Sequence, residues 1–167
     1  MSEPRRDEIR NQIVEHTGID EAMIKRLVHS FYARIRDDGL LGPVFATHIT
    51  DWEPHLQKMC AFWSSVALMT GRFHGSPMEK HLPLPIDARH FDHWLELFEH
   101  TARDVCPPAA AEHFMERARR IAESLELGIA ASRGIFSAKG QRFIREDIIL
   151  AQDNTATEEV PHEQPAK

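Results

Sequence analysis

At 167 residues, with 42% hydrophobic and 28% charged side chains, the chain has the size and composition of one globular domain with a proper core. A formal net charge of -6 argues against nucleic acid or an anionic membrane as the partner, and no apolar run is long enough to span a bilayer. The two cysteines, Cys60 and Cys106, sit in no C-x-x-C pair, which argues against a disulfide framework and a thiolate metal site and leads us to expect a reducing, cytoplasmic setting.

Apolar residues recur at spacings of three and four with little strict alternation, which predicts an all-α chain of about six helices. The charged start, Met1 to Glu8, has no apolar stretch behind it and does not read as a secretory signal. A short first helix through Ile9 and Ile13 is expected to stop at Thr17-Gly18. Asp20 is the expected N-cap of a strongly amphipathic helix with Ile24, Leu27, Val28, Phe31 and Ile35 on one face, ending near Asp37-Asp38-Gly39. Leu40 to Phe45 reads as a compact apolar corner, because the residue before Pro43 is biased away from helix. The next helix starts around Thr50-Asp51, tolerates Pro54 in its first turn and aligns Trp52, Leu56, Met59, Trp63 and Val66; Gly71 is expected to close it. A one-turn helix over 78–82 is cut off by Pro83 and Pro85. Asp87 then caps a helix carrying Phe91, Trp94, Leu95, Phe98 and Ala102. Pro107-Pro108 restart the chain into a last long helix through Phe114, Ala118, Ile121, Leu125 and Ile129. Residues 1–135 are thus expected to form one domain. Beyond it, Phe143, Ile144, Ile148 and Ile149 allow an extra helix within 136–152, and 153–167 reads as a disordered polar tail.

Eleven histidines is many for this length. His81 is the most informative, since it sits on a single helical turn pinned by prolines on both sides. That placement gives up helix length without an evident packing gain, yet it fixes the imidazole rigidly, as an axial ligand to iron in a planar cofactor requires. Taken alone, His81 reads better as a capping or surface histidine in a turn. His55 lies on the preceding long helix with Met59 and Phe62 one turn further on, and two histidines on consecutive helices can face each other across an aromatic slot. Tyr32, the single tyrosine, follows Phe31 near the core stripe, where a buried hydroxyl needs a partner. Trp94 brings an indole N–H, a donor only. His16, His29, His48, His74, His90, His93, His100 and His113 are read as surface or loop histidines, Cys60 as a small core residue, and Cys106 as a helix-end residue.

Six stretches together carry a family resemblance: Phe31-Tyr32; Leu41-Gly42-Pro43-Val44-Phe45; Trp52-Glu53-Pro54-His55; Phe62-Trp63; Lys80-His81-Leu82-Pro83-Leu84-Pro85; and Phe91-x-x-Trp94-x-x-Leu97-Phe98. In order and spacing, over Ile19 to Ile129, the chain resembles the truncated haemoglobins, specifically group III. The resemblance implies a truncated globin, a two-over-two helical sandwich around haem b (iron protoporphyrin IX), with the proximal helix reduced to about one turn, as the reading of 78–82 already has it. It implies His81 as the iron ligand, and Tyr32, His55 and Trp94 as the distal trio around a diatomic gas. It further implies Phe45 packing on the haem, Phe62, Trp63 and Phe91 as pocket walls, and Lys80 reaching a haem propionate. With Phe31 and Met59 these residues make up the expected cofactor-binding set.

The function so implied is binding of dioxygen, nitric oxide or carbon monoxide, for chemistry on dioxygen or nitric oxide rather than bulk transport. Activity of a nitric oxide dioxygenase or peroxidase kind would need an external electron donor, since no glycine-rich dinucleotide fingerprint is present. A monomer or weak dimer is expected. Three other readings compete. A gas sensor would use the C-terminal extension. A non-haem metal bundle finds its one Glu-x-x-His only at Glu159 to His162, in the tail. A ligand-free interaction module would use the aromatics as plain core.

Overall fold

The computed structural model describes residues 2–146. Among the described residues the chain forms seven helices and no strand: α1 (Glu3–Thr17), α2 (Glu21–Asp37), α3 (Leu41–His48), α4 (Trp52–Leu68), α5 (Pro77–His81), α6 (Ala88–Val105) and α7 (Pro108–Ser132). Helix α2 packs on α4 and α6 on α7, while α2 also meets α6 and α4 meets α7. One helix pair therefore lies on the other, which is the two-over-two globin sandwich. No described helix is long and apolar enough to cross a membrane.

Local chemistry accounts for most of the boundaries. Gly18 takes a left-handed φ of 69° and ends α1. The Asp20 carboxylate accepts from the Met23 N–H at 2.8 Å and starts α2. The stripe of α2, from Met23 and Ile24 to Phe31 and Ile35, is buried, each such large apolar side chain contributing about 1.5–3 kcal/mol. Helix α1 has no comparable face and buries only Thr17. It is held by Arg10, whose guanidinium donates to the carbonyls of Leu68 at 2.8 Å and Met69 at 3.1 Å, where the end of α4 leaves acceptors without helical partners.

Three expectations are corrected. Leu40 to Phe45 is not a corner but the start of α3. Asp38 supplies the reason, since its Oδ1 accepts from the N–H groups of Leu40 at 2.9 Å and Leu41 at 2.8 Å. Pro43 falls in the first turn, where a missing N–H costs nothing. A Cβ at Gly42 would stand 2.9 Å from the Arg36 carbonyl oxygen, so glycine lets α3 leave the end of α2 at close range. Next, α4 ends before Gly71, with Met69 in the left-handed conformation at φ 56°. The stop is set from outside the helix: His113 Nε2 bonds the Ala67 carbonyl at 3.0 Å and Arg117 Nε donates to the Val66 carbonyl at 3.1 Å.

The third correction concerns the chain after α7. Residues 135–145 contain no helix and return as a strap across the start of α6, and of the described part of the expected helix only Glu146 is helical. The Ala88 N–H donates to the Phe143 carbonyl at 2.8 Å, and Arg142 pairs with Asp92 at 2.7 Å and Glu126 at 2.8 Å. Phe143, 4% exposed, is a single anchor rather than part of a helical face. The rest of the extra helix expected within 136–152, from 147 on, and the tail expected at 153–167 lie outside the described residues.

The core divides in two. Phe31, Trp63, Phe98 and Phe114 centre one cluster, and Ile86, Phe91, Leu125, Ile129 and Phe143 form the other. A cavity lies between them.

Candidate functional site

The cavity, of about 490 Å³, opens between the two helix pairs. Its size falls within the range of about 300–1,000 Å³ usual for ligand and cofactor pockets. Helices α2, α3, α4, α5, α6 and α7 all contribute, and the lining includes Tyr32, Phe45, His55, Met59, Phe62, Trp63, Lys80, His81, Phe91 and Trp94. Every residue the sequence singles out for the site is therefore brought to one place except Phe31. That ring is 1% exposed and stands edge-on to Tyr32 at 5.2 Å and Trp94 at 5.5 Å, backing the wall instead of forming it.

His81 ends the five-residue α5, which Ser76 starts by accepting from the Glu79 N–H at 3.4 Å. The His81 ring is oriented by its own helix: Nδ1 bonds the Pro77 carbonyl at 2.6 Å. A carbonyl only accepts, so Nδ1 carries the proton and Nε2 keeps its lone pair. Burial holds the imidazole below its ordinary pKa, with the Pro77 bond opposing, and the ring is neutral near pH 7.

Across the cavity, α4 presents His55. Its Nε2 is fully buried and has no hydrogen-bond partner among the described residues. Leaving such an atom unmatched costs about 1–3 kcal/mol, the mark of a site completed by a guest. Burial, followed by the charges of Lys58 and His81, holds His55 below its ordinary pKa. Tyr32 packs edge-on against His55, with ring centres 5.1 Å apart, and against Phe45 at 5.8 Å. The phenol is 6% exposed, and burial, then the nearby Cys60, pushes its pKa well above the usual value. The hydroxyl therefore keeps its proton and is a donor. It makes no hydrogen bond among the described residues. Trp94 stacks on Phe98 at 5.4 Å, which fixes the indole plane at the cavity wall.

The mouth has a sign. His48, Lys58, His74 and Lys80 are exposed residues of the lining, and among the described residues no aspartate or glutamate lines the cavity. In a chain of net charge -6, that segregation suits a guest with an apolar body and an anionic edge. Among the described residues no group of three His, Cys, Asp or Glu side chains is placed to hold a metal ion, so the non-haem bundle has no ligand set there.

Several histidines expected on the surface or in loops have other places. His48 and His74 are exposed, but they border the cavity. His93 pairs with Asp38 at 2.5 Å, and His113 caps α4. His90 is 5% exposed and lines the cavity. Its Nδ1 accepts from the Asp87 N–H at 3.1 Å, in a capping box where histidine takes the position that glutamate or glutamine usually fills. Asp87, three residues ahead, is the signal in the sequence that points to it.

Comparison with known proteins agrees with this architecture. The sequence model of the bacterial-like globin family matches residues 12–126. The group 3 truncated haemoglobin ctb of Campylobacter jejuni is 33% identical over 113 residues, covering 65% of this chain and 89% of that protein. The group 2 truncated haemoglobin YjbI of Bacillus subtilis is 29% identical over 82 residues, covering 48% of this chain and 62% of that one. Among solved structures, the group III truncated haemoglobin from Campylobacter jejuni superposes with a TM-score of 0.63 at 30% identity, over 74% of this chain and 96% of its own. The haemoglobin of the thermophilic phototrophic bacterium Chloroflexus aurantiacus gives 0.53 at 27% identity, over 68% of this chain and 95% of its own. The chain belongs to the bacterial-like globins and is a truncated haemoglobin of group III, from a haem-binding family.

Proposed function

We propose that this globin holds haem b in the cavity with His81 as the iron ligand and binds dioxygen, nitric oxide or carbon monoxide on the side of Tyr32, His55 and Trp94. The observation that carries the reading is the 2.6 Å bond from His81 Nδ1 to the Pro77 carbonyl, because it leaves a neutral Nε2 lone pair on a ring that lines the cavity. The fit to haem rests on the lining: apolar walls for the ring, the unmatched His55 Nε2 opposite His81, and a basic mouth for a carboxylate. When bound, haem supplies an iron that takes up a diatomic gas and exchanges electrons with it.

The chain's own residues govern the fate of the bound gas. Tyr32 and Trp94 offer an O–H and an N–H to a ligand that gains negative charge, each such bond contributing about 1.5–3 kcal/mol. Two of them slow release by orders of magnitude, since about 1.4 kcal/mol is a factor of ten. Slow release suits chemistry on dioxygen or nitric oxide better than carriage. His55, neutral and unmatched at Nε2, can hold or pass a proton at that atom. Phe45, Phe62, Trp63 and Phe91 exclude water, with Phe31 stiffening the wall from behind. Lys80 and Lys58 would pair with a carboxylate of the bound group. Turnover as a nitric oxide dioxygenase or peroxidase would take electrons from an external donor. We read the setting as cytoplasmic and the protein as a monomer or weak dimer.

The test is the visible spectrum of the protein loaded with haem, ferric, ferrous and with carbon monoxide, beside His81→Ala. A Soret band that shifts with carbon monoxide and loses its five-coordinate ferrous form in the variant is expected. Unchanged spectra in the variant would remove His81 from the iron. A second reading, gas sensing, has one observation in its favour: Phe143, beyond the matched family region, shares an apolar cluster with Phe91 and Leu125 of the lining. It predicts that removing residues 136–167 abolishes a ligand-dependent change of partner or assembly.

A further inference from the structure

We infer that His90 is a fixed hydrogen-bond donor inside the pocket, positioned by Asp87 and the C-terminal strap to hold a carboxylate of the bound tetrapyrrole. Resting on the proposal that the cavity holds haem, this names a contact that selects which form of the cofactor is kept.

Asp87 is the pivot. Its carboxylate is wholly buried and caps α6, with Oδ1 accepting from the Arg89 N–H at 3.0 Å. Oδ2 accepts from the Arg145 backbone N–H of the strap at 2.9 Å and pairs with the Arg89 guanidinium at 2.9 Å. These bonds immobilise the Asp87 backbone, and the Asp87 N–H points at His90 Nδ1 at 3.1 Å. Two hydrogens cannot occupy that line, so Nδ1 is the acceptor and Nε2 carries the proton. Asp87 Oδ1 lies further from Nδ1, at 3.4 Å, and is already engaged by Arg89. With Nδ1 tied to the helix start, the ring edge left for the cavity is the one bearing Nε2–H.

That N–H makes no hydrogen bond among the described residues, on a side chain that is 5% exposed. Unlike His55 Nε2, this atom is not sealed but opens on the cavity, and a guest that fills the cavity displaces water from it, so the donor is satisfied only where the guest supplies an acceptor. The rim of protoporphyrin IX offers methyl and vinyl groups and two carboxylates, and only the carboxylates accept. The strap lies beyond residue 126, where the family match ends, so the aspartate that positions His90 is itself held by a segment outside the matched region.

The experiment compares the loss of haemin and of haemin dimethyl ester from the full chain to an excess of a haem-scavenging protein, for wild type, His90→Phe and His90→Gln. Phenylalanine keeps a ring and removes the donor; glutamine keeps a donor. His90→Phe is expected to speed haemin loss about tenfold and leave the ester's rate unchanged, with His90→Gln close to wild type for both. Equal acceleration for haemin and ester, or none for either, overturns the assignment. Should His90→Phe fail to fold, wild type decides: in the diamagnetic ferrous carbon monoxide form, a slowly exchanging His90 Nε2–H resonance is expected with haemin and absent with the ester. Its presence in both or in neither overturns the inference. Wild type that takes up no haemin at all defeats the haem reading itself.

Discussion

Met78 rests on Gly128 so closely that a Cβ at Gly128 would overlap the methionine sulfur. Met78 belongs to α5 and Gly128 to α7, so the missing side chain sets how near the His81 turn stands to the long C-terminal helix. Gly128→Leu is expected to push α5 outward and speed haem loss about tenfold, while helix content holds, since leucine gains up to about 1 kcal/mol of helix propensity over glycine. Gly128→Ala meets only the movable end of Met78 and should cost much less. Haem-transfer rates and far-UV circular dichroism measure both, and unchanged haem loss in Gly128→Leu would show that this contact does not position His81.

Tyr32→Phe removes a buried donor and leaves the packing against Phe45 and His55 in place. Dioxygen release should speed up by about tenfold to a hundredfold, the loss of one charge-assisted bond. Carbon monoxide, which develops less negative charge, should be affected much less. Stopped-flow release rates for the two gases provide the comparison. An unchanged dioxygen rate would exclude the Tyr32 hydroxyl from ligand binding.

The Asp38–His93 pair makes stability depend on pH in a readable way. The Asp38 hydrogen bond holds His93 above its ordinary pKa of 6.5. Burial alone would raise Asp38, but the His93 bond and the N–H groups of Leu41 and Leu40 outweigh it and hold the carboxyl below 3.8. The histidine's contribution is fully present below about pH 6.5 and is lost as pH rises through its raised value; the aspartate's is present above about pH 4 and is lost as pH falls through its lowered value. The pair therefore stabilises most between those limits. Buried His90 and half-buried His55, His81 and His113 work the other way, losing stability below about pH 6.5, so the pair is isolated by difference. His93→Gln should cost about 1 kcal/mol at pH 5.5 and less at pH 8.5. Equal costs at both pH values would mean the pair is not charged.

Met69 holds a left-handed backbone that glycine adopts freely. Met69→Gly is expected to raise the stability of the protein by up to about 1 kcal/mol, because strain of about 1–2 kcal/mol is relieved while a half-buried side chain is lost. Thermal unfolding of the haem-loaded protein is the measurement. A clear fall in Tm would mean that Met69 packing outweighs its backbone strain.

How much of the fold is legible in the sequence depends on the range of each signal. Local signals are legible: Asp20 and Asp87 as caps, Gly18 as a stop, and Met78 to Leu82 between prolines as one turn, close to the observed Pro77–His81. Signals completed by distant groups are not. Asp38 converts the Pro43 stretch into α3 through two backbone bonds, and His113 and Arg117 end α4 from another helix. In the site, residues of the large aromatic pattern converge, whereas Phe31 slips behind the wall because Tyr32 and Trp94 stand in front of it. His90 reads as a surface residue in the sequence because its fixing groups are Asp87, within reach of a local pattern, and the distant strap at Arg145, which is not.

The five-residue length of α5 ties colour to folding. A helix shorter than about 12 residues is not stable by itself, so this turn takes its order from its seat on α7 and, on the proposed function, from the haem that His81 would hold. Release of the pigment and melting of residues 77–81 then become a single event, while the longer helices stand. On heating, Soret absorbance would fade before the ellipticity at 222 nm falls, and the gap between the two curves would measure how much of the fold survives without its guest.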